Sequence, residues 1–132
     1  MQAAFLSVKL KNLDRWNDDR RRIASRYSNE ISNPQIVLPQ EMDGTKHVYH
    51  IYAVKCDRRD ELESYLNALG IGTNKHYPIP MHMQECYKPL HIPKGQLPLA
   101  EEISSTILSI PMSYGMSDEE VTFVIDALNQ FE

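Results

Sequence analysis

Cysteine is scarce: Cys56 and Cys86 are the only two, with no spacing that reads as a disulfide framework. The expectation is a pair of reduced thiols in a cytoplasmic protein. Long apolar runs are missing too. Nothing approaches the roughly 18 consecutive apolar residues of a membrane span. Met1 to Leu10 lacks a basic stretch followed by a long apolar run, so it does not read as a signal peptide. There is no excess of positive charge. A formal net charge of −4 argues against a general nucleic-acid binder. Internal repeats and low-complexity segments are absent as well. Five histidines are present, but in no chelating pattern. His47 and His50 fall on opposite faces of the strand expected there, and two prolines separate His76 from His82. No metal site is expected.

What remains is a chain of 132 residues, enough for one domain with a real core, made slightly loop-rich by eight prolines. From Met1 to about Tyr27 the pattern predicts one long helix, with Leu6, Leu10, Leu13, Ile23 and Tyr27 near one face and Trp16 beside it. It begins with no capping residue, as if the chain were cut from something longer. The charged run Asp14 to Arg26 reads as a basic phosphate-binding patch or as a solvated helix face. Its interleaved acids favour the solvated face, with pairs such as Asp18–Arg22. Asn33-Pro34 is a turn, and Ile36-Val37-Leu38 a short strand. His47 to Val54 is apolar on both faces and predicts the central strand, with His50 read as a hydrogen-bonded core residue rather than a ligand or base. Asp57 is placed as the cap of a helix that runs to Leu69 and buries Leu62, Leu66 and Leu69. Gly70 sits where a left-handed stop belongs, and Ile71 to Lys75 should return as a strand. Pro98 opens another helix, and Thr106 to Pro111 is a strand. Ser117 with Glu120 forms a capping box for the last helix, which runs to Phe131. Strands interleaved with helices predict an α/β two-layer domain: three or four mostly antiparallel strands, with helices chiefly on one face.

The most informative stretch is Gly70 to Gln84. Two prolines should keep Tyr77-Pro78-Ile79-Pro80 extended and stiff, able to hold polar side chains at set positions. The competing reading is a cross-over loop whose Tyr77 and Ile79 plug the core. GIGTNKHYPIPMHMQ resembles the G-I-x-[TS]-x-x-H-Y-P-x-P-x-H-x-Q segment of the pyridoxal phosphate-dependent sugar aminotransferases known as the DegT family. Further similarities follow in the same order: Gln2 to Leu10 with Q-A-A-x-L-x-x-K-L, His47 to Tyr52 with H-x-Y-H-x-Y, Leu97 to Glu101 with L-P-x-A-E, and Leu108 to Met112 with L-S-[IL]-P-M.

The resemblance implies that residues 1–132 form the small C-terminal domain of a larger fold-type I aminotransferase whose pyridoxal phosphate-binding domain is not in this chain. It implies that the intact enzyme transfers an amino group from glutamate to a keto-deoxysugar nucleotide for polysaccharide or antibiotic synthesis, and works as a homodimer. None of the seven lysines lies in the family's lysine motif, and no glycine-rich phosphate cradle is present. No catalytic residue and no cofactor contact is therefore expected here, and Lys75 reads as a surface residue. By resemblance His76, Tyr77 and His82 are the substrate-binding residues, with His82 and Gln84 open to a structural role instead. The alternative reading is a stand-alone binding or regulatory module that reuses this fold.

Overall fold

The computed structural model describes all 132 residues. At its centre two antiparallel strands pair, β1 (Tyr52–Lys55) and β2 (Ile107–Ile110), in the register Tyr52 opposite Ile110 and Val54 opposite Leu108. On the outer side of β1, Val37 and Lys55 form a single bridge, their N–H groups donating to each other's carbonyls at 2.8 and 2.9 Å. On the outer side of β2, Asn74 and Ser109 do the same at 3.1 and 2.7 Å. All four segments are antiparallel neighbours, in the order Val37, β1, β2, Asn74. The predicted strands at 36–38 and 71–75 are thus reduced to one bridge each. Each is bounded within a few residues by proline or glycine, which leaves no room for a longer ladder.

Pleating sends Tyr52, Val54, Leu108 and Ile110 to one face, all of them buried. Against them pack Ile23, Ala24 and Tyr27 of α2 (Leu13–Glu30), Leu62 and Leu66 of α3 (Arg59–Ala68), and Val121, Val124, Ile125 and Leu128 of α5 (Asp118–Gln130). This is the expected small α/β domain, a short antiparallel sheet with helices mainly on one face. Polar groups inside the core are paired. The Tyr27 hydroxyl donates to the Pro111 carbonyl at 2.9 Å, and Ser28 and Tyr52 share a hydrogen bond of 2.9 Å. Burial first, then the neighbouring Tyr52, pushes the Tyr27 phenol well above its usual range. Buried Asn33 donates to the carbonyls of Leu128 and Phe131 at 2.8 and 2.7 Å and so closes the C-terminal end of α5. Ser117 accepts from the Glu120 N–H at 3.2 Å while Glu120 accepts from the Ser117 N–H at 2.9 Å, the predicted capping box.

Several local expectations are corrected. The single N-terminal helix is two, α1 (Gln2–Leu10) and α2, divided at Lys11-Asn12, where the Asn12 N–H reaches back to Lys9 at 2.9 Å in a tighter turn. The predicted apolar face divides with it: Leu6, Leu10 and Leu13 are exposed, whereas Ile23 and Tyr27 are buried. β1 begins five residues later than expected, because Tyr49 takes a left-handed φ of 46° and turns the chain before it can pair. His50 consequently lies exposed on that bend, not in a core strand. Asp57 does not cap α3: Arg58 is the N-cap residue, without a side-chain cap bond. The charged run of α2 is self-satisfied, but not through Asp18–Arg22. Arg21 pairs with Asp18 at 2.7 Å, Arg22 with Asp19 at 3.1 Å and with Asp118 of α5, and Arg26 with Glu30 at 2.7 Å. Asp19 also accepts from the Gly115 N–H at 2.6 Å, and that bond, with Arg22, holds its carboxyl below the usual range. Cys56 is buried and Cys86 exposed, both as free thiols.

Candidate functional site

The second face of the sheet, away from the helical core, carries the candidate site. α3 delivers the chain to it. Gly70 adopts φ 80°, and its N–H donates to Asn67 at 3.0 Å while the Ile71 N–H donates to Leu66 at 2.9 Å. That paired arrangement ends the helix, and Ile71 and Leu66 are buried together there. Asn74 then bridges Ser109 of β2, which fixes the height at which His76 leaves the sheet.

The His76 ring is held from both ends. Nδ1 lies 2.9 Å from the Ser109 hydroxyl, and Nε2 lies 3.2 Å from the Asn74 side-chain amide nitrogen. Asn74 Oδ1 accepts from the Lys75 N–H at 2.8 Å, so its amide nitrogen is the end that faces His76. Tyr77 follows across a cis peptide bond, its ring edge-on to His76 with centroids 5.6 Å apart. Tyr77 is 71% exposed and Ile79 is 52% exposed, so neither plugs the core. A cleft of about 360 Å³ lies alongside, lined by His50, Thr73, Asn74, His76, Ser109 and Met112 among others. Within it Thr73 Oγ1 is buried without a hydrogen-bond partner.

His82 is placed differently from His76 and Tyr77. It sits in the 3₁₀ turn Met81–Met83, 4% exposed, with Nε2 3.1 Å from Glu101 of α4 (Pro98–Thr106). Burial opposes ionisation of Glu101, but hydrogen bonds from the Gly95 N–H, His82 and the Leu97 N–H outweigh it and lower its pKa. This clip ties the loop that follows Tyr77 to α4. Gln84 donates to the Ile79 carbonyl at 3.3 Å and braces the same loop. Asn74, Ser109 and Glu101 went unnoticed as site residues in sequence. Their roles depend on bridges between segments 19 to 35 residues apart, and only the L-P-x-A-E and L-S-[IL]-P-M strings hinted at them.

Three lysines of the chain are engaged in ion pairs. Lys75, the lysine nearest the loop, has its ammonium 2.6 Å from Glu63 and 2.9 Å from Asp60. Those hydrogen bonds, Glu63 first, raise its pKa and keep it charged, the opposite of what an amine nucleophile requires. Lys55 and Lys88 are likewise paired with Glu102 and Glu85. No cluster of three or more His, Cys, Asp or Glu side chains is placed to hold a metal ion.

Residues 1–129 match the model of the DegT/DnrJ/EryC1/StrS aminotransferase family. Over 99% of its length the chain is 40% identical to a pleiotropic regulatory protein of Geobacillus stearothermophilus, covering 36% of that protein. It is 41% identical, again over 99% of its length, to dTDP-3-amino-3,6-dideoxy-alpha-D-galactopyranose transaminase of Aneurinibacillus thermoaerophilus, covering 36% of that enzyme. Among solved structures, the S. venezuelae DesV complex with a ketimine intermediate superposes with a TM-score of 0.96 at 39% identity, over 98% of this chain and 35% of that one. A family aminotransferase from Brucella abortus superposes at 0.87 with 32% identity, over 96% of this chain and 34% of that one. The chain thus spans about a third of the length of the curated relatives it matches.

Proposed function

The chain belongs to the DegT/DnrJ/EryC1/StrS aminotransferase family, and we propose that it serves as the C-terminal domain of a pyridoxal phosphate-dependent enzyme that moves an amino group from glutamate to a nucleotide-linked keto-deoxysugar. The observation that carries this reading is the near-complete superposition on DesV, a structure solved with a reaction intermediate bound. The similarity to transaminases named for dTDP-linked amino sugars supports the substrate class. In this reading the cofactor and its lysine come from a separate domain. The proposal extends to a cytoplasmic homodimer that supplies amino sugars for polysaccharides or antibiotics.

In this reading the chain supplies the substrate-facing wall. Tyr77 is an aromatic face with a free hydroxyl, suited to lie against a sugar and donate to one of its oxygens. His76 stands behind it, and His82 acts on substrate through the Glu101 clip that holds the loop in place. Orientation of this kind contributes to rate without any proton transfer by the chain itself.

The test is the two half-reactions of the enzyme that contains this chain. Tyr77→Phe should leave the half-reaction with glutamate unchanged and lower kcat/KM for the keto-sugar by up to about tenfold, the worth of one neutral hydrogen bond. Equal rates with the keto-sugar for Tyr77→Phe and the unmodified enzyme would remove Tyr77 from the pocket. A regulatory module is the second reading, favoured by the Geobacillus relative named as a pleiotropic regulatory protein. An enzyme that turns over no nucleotide keto-sugar, with its cofactor bound, would favour it.

A further inference from the structure

We propose that Ser109 and Asn74 lock His76 in its Nδ1–H form, making His76 a brace for Tyr77 rather than a hydrogen-bonding partner of the substrate. The inference rests on the proposed substrate wall for its purpose, but the locking itself stands on the geometry of this chain alone.

A neutral imidazole has one donor nitrogen and one acceptor nitrogen, and the partners of each decide which is which. The Asn74 amide nitrogen can only donate, and its orientation is set because Oδ1 is taken by the Lys75 N–H. Nε2, 3.2 Å away, must therefore accept and carry no proton. The proton is on Nδ1, and it is donated to the Ser109 hydroxyl at 2.9 Å. Both nitrogens are then spent within the chain.

The lock is rigid because its two arms share one backbone bridge. Ser109 and Asn74 exchange N–H to carbonyl bonds at 2.7 and 3.1 Å, so the serine below the ring and the amide beside it cannot drift apart. Ser109 is 6% exposed and central in β2, whose neighbour β1 is paired on its far side. The ring fixed in this way presents its edge to Tyr77, at an interplanar angle of 82°. The ring that meets solvent is Tyr77, and its direction is set by a histidine that is itself held from strand β2.

Two-dimensional ¹H–¹⁵N spectra of the ¹⁵N-labelled chain, recorded through the two-bond couplings of the imidazole above the pH at which the ring protonates, read the tautomer directly. His76 is expected to show a protonated, pyrrole-type Nδ1 and a pyridine-type Nε2. In Ser109→Ala the two shifts are expected to move toward each other as the Nε2–H form becomes populated. Ser109→Thr, which keeps the hydroxyl, is expected to restore the separation. Asn74→Ala, at an exposed side chain, should narrow the separation as well and serves in place of Ser109→Ala if the buried change prevents folding. A pyrrole-type Nε2 in the unmodified chain, or a tautomer indifferent to Ser109→Ala or to Asn74→Ala, would overturn the lock. Failure of the keto-sugar half-reaction test with an intact lock would instead leave the brace standing and remove its proposed role.

Discussion

At the scale of the residue, the site was half legible. Gly70 to Gln84 announced itself because proline and glycine act on the backbone they occupy, so the stiff HYPIP run and the helix stop at Gly70 follow from local chemistry. Exposure of Tyr77 follows less directly, since an aromatic beside prolines serves a core equally well until its neighbours are known. Ser109 was hidden altogether: a serine between leucine and isoleucine carries no signal until pairing sets it beside Asn74 and beneath His76. Thr73 was equally silent, and it now supports an expectation. Its hydroxyl is buried and unpartnered, which costs roughly 1–3 kcal/mol of desolvation, and valine has nearly the same shape without that group. Thr73→Val is expected to leave the chain as stable as before or to stabilise it by up to about 1 kcal/mol, measured by urea unfolding. A loss of more than about 1 kcal/mol would mean that the hydroxyl has a partner within the folded chain.

Elements were read best where a local signal fixed both the type and the end. The box Ser117–Glu120 starts α5, Pro98 starts α4, and the paired bonds after Leu66 finish α3. They were read worst where tertiary pairing decides length. The stretch from His47 has the composition of a strand, but Tyr49 and the bend at His50 leave only Tyr52–Lys55 to pair. Likewise no glycine or proline interrupts the first helix, yet it breaks at Asn12, whose side chain makes no capping bond and whose N–H closes a tighter turn onto Lys9. A cap whose two reciprocal bonds are both formed gives a sharp expectation. Ser117→Ala should destabilise the chain by about 1 kcal/mol, within a range of roughly 0.5–2, while Ser117→Asp should restore most of the loss. Equal denaturation midpoints for Ser117→Ala and the unmodified chain would show that α5 is held by its packing alone.

For the whole molecule the decisive quantity is surface. A compact monomer of 15.3 kDa exposes about 7,100 Å², whereas this chain exposes 9062 Å², roughly 1,900 Å² more. Exposed apolar side chains cluster in two places. α1 buries none of its residues, leaving Phe5, Leu6, Val8 and Leu10 open beside a groove of about 540 Å³ that ends at Trp16. The arm after Tyr77 exposes Met81, Leu90 and Leu99. An excess of this size exceeds the roughly 800 Å² that each partner contributes to a standard interface, and contiguous exposed apolar side chains mark interaction surfaces. The apolar stripe of α1 and its exposure along Met1 to Trp16 were both legible in the sequence, since a stripe of that length in a chain expected to be one domain of a larger enzyme needs a partner to cover it. In isolation at high concentration, the 132-residue chain is therefore expected to self-associate through α1, with a weight-average mass in sedimentation equilibrium that rises with concentration. Leu6→Glu with Leu10→Glu should return it to the monomer without lowering its unfolding midpoint, since neither side chain contributes to the core. Constant monomer mass for the unmodified chain would show that water covers this face adequately. Association that survives both substitutions would move the contact to the arm after Tyr77, where Met81→Glu and Leu90→Glu should then abolish it.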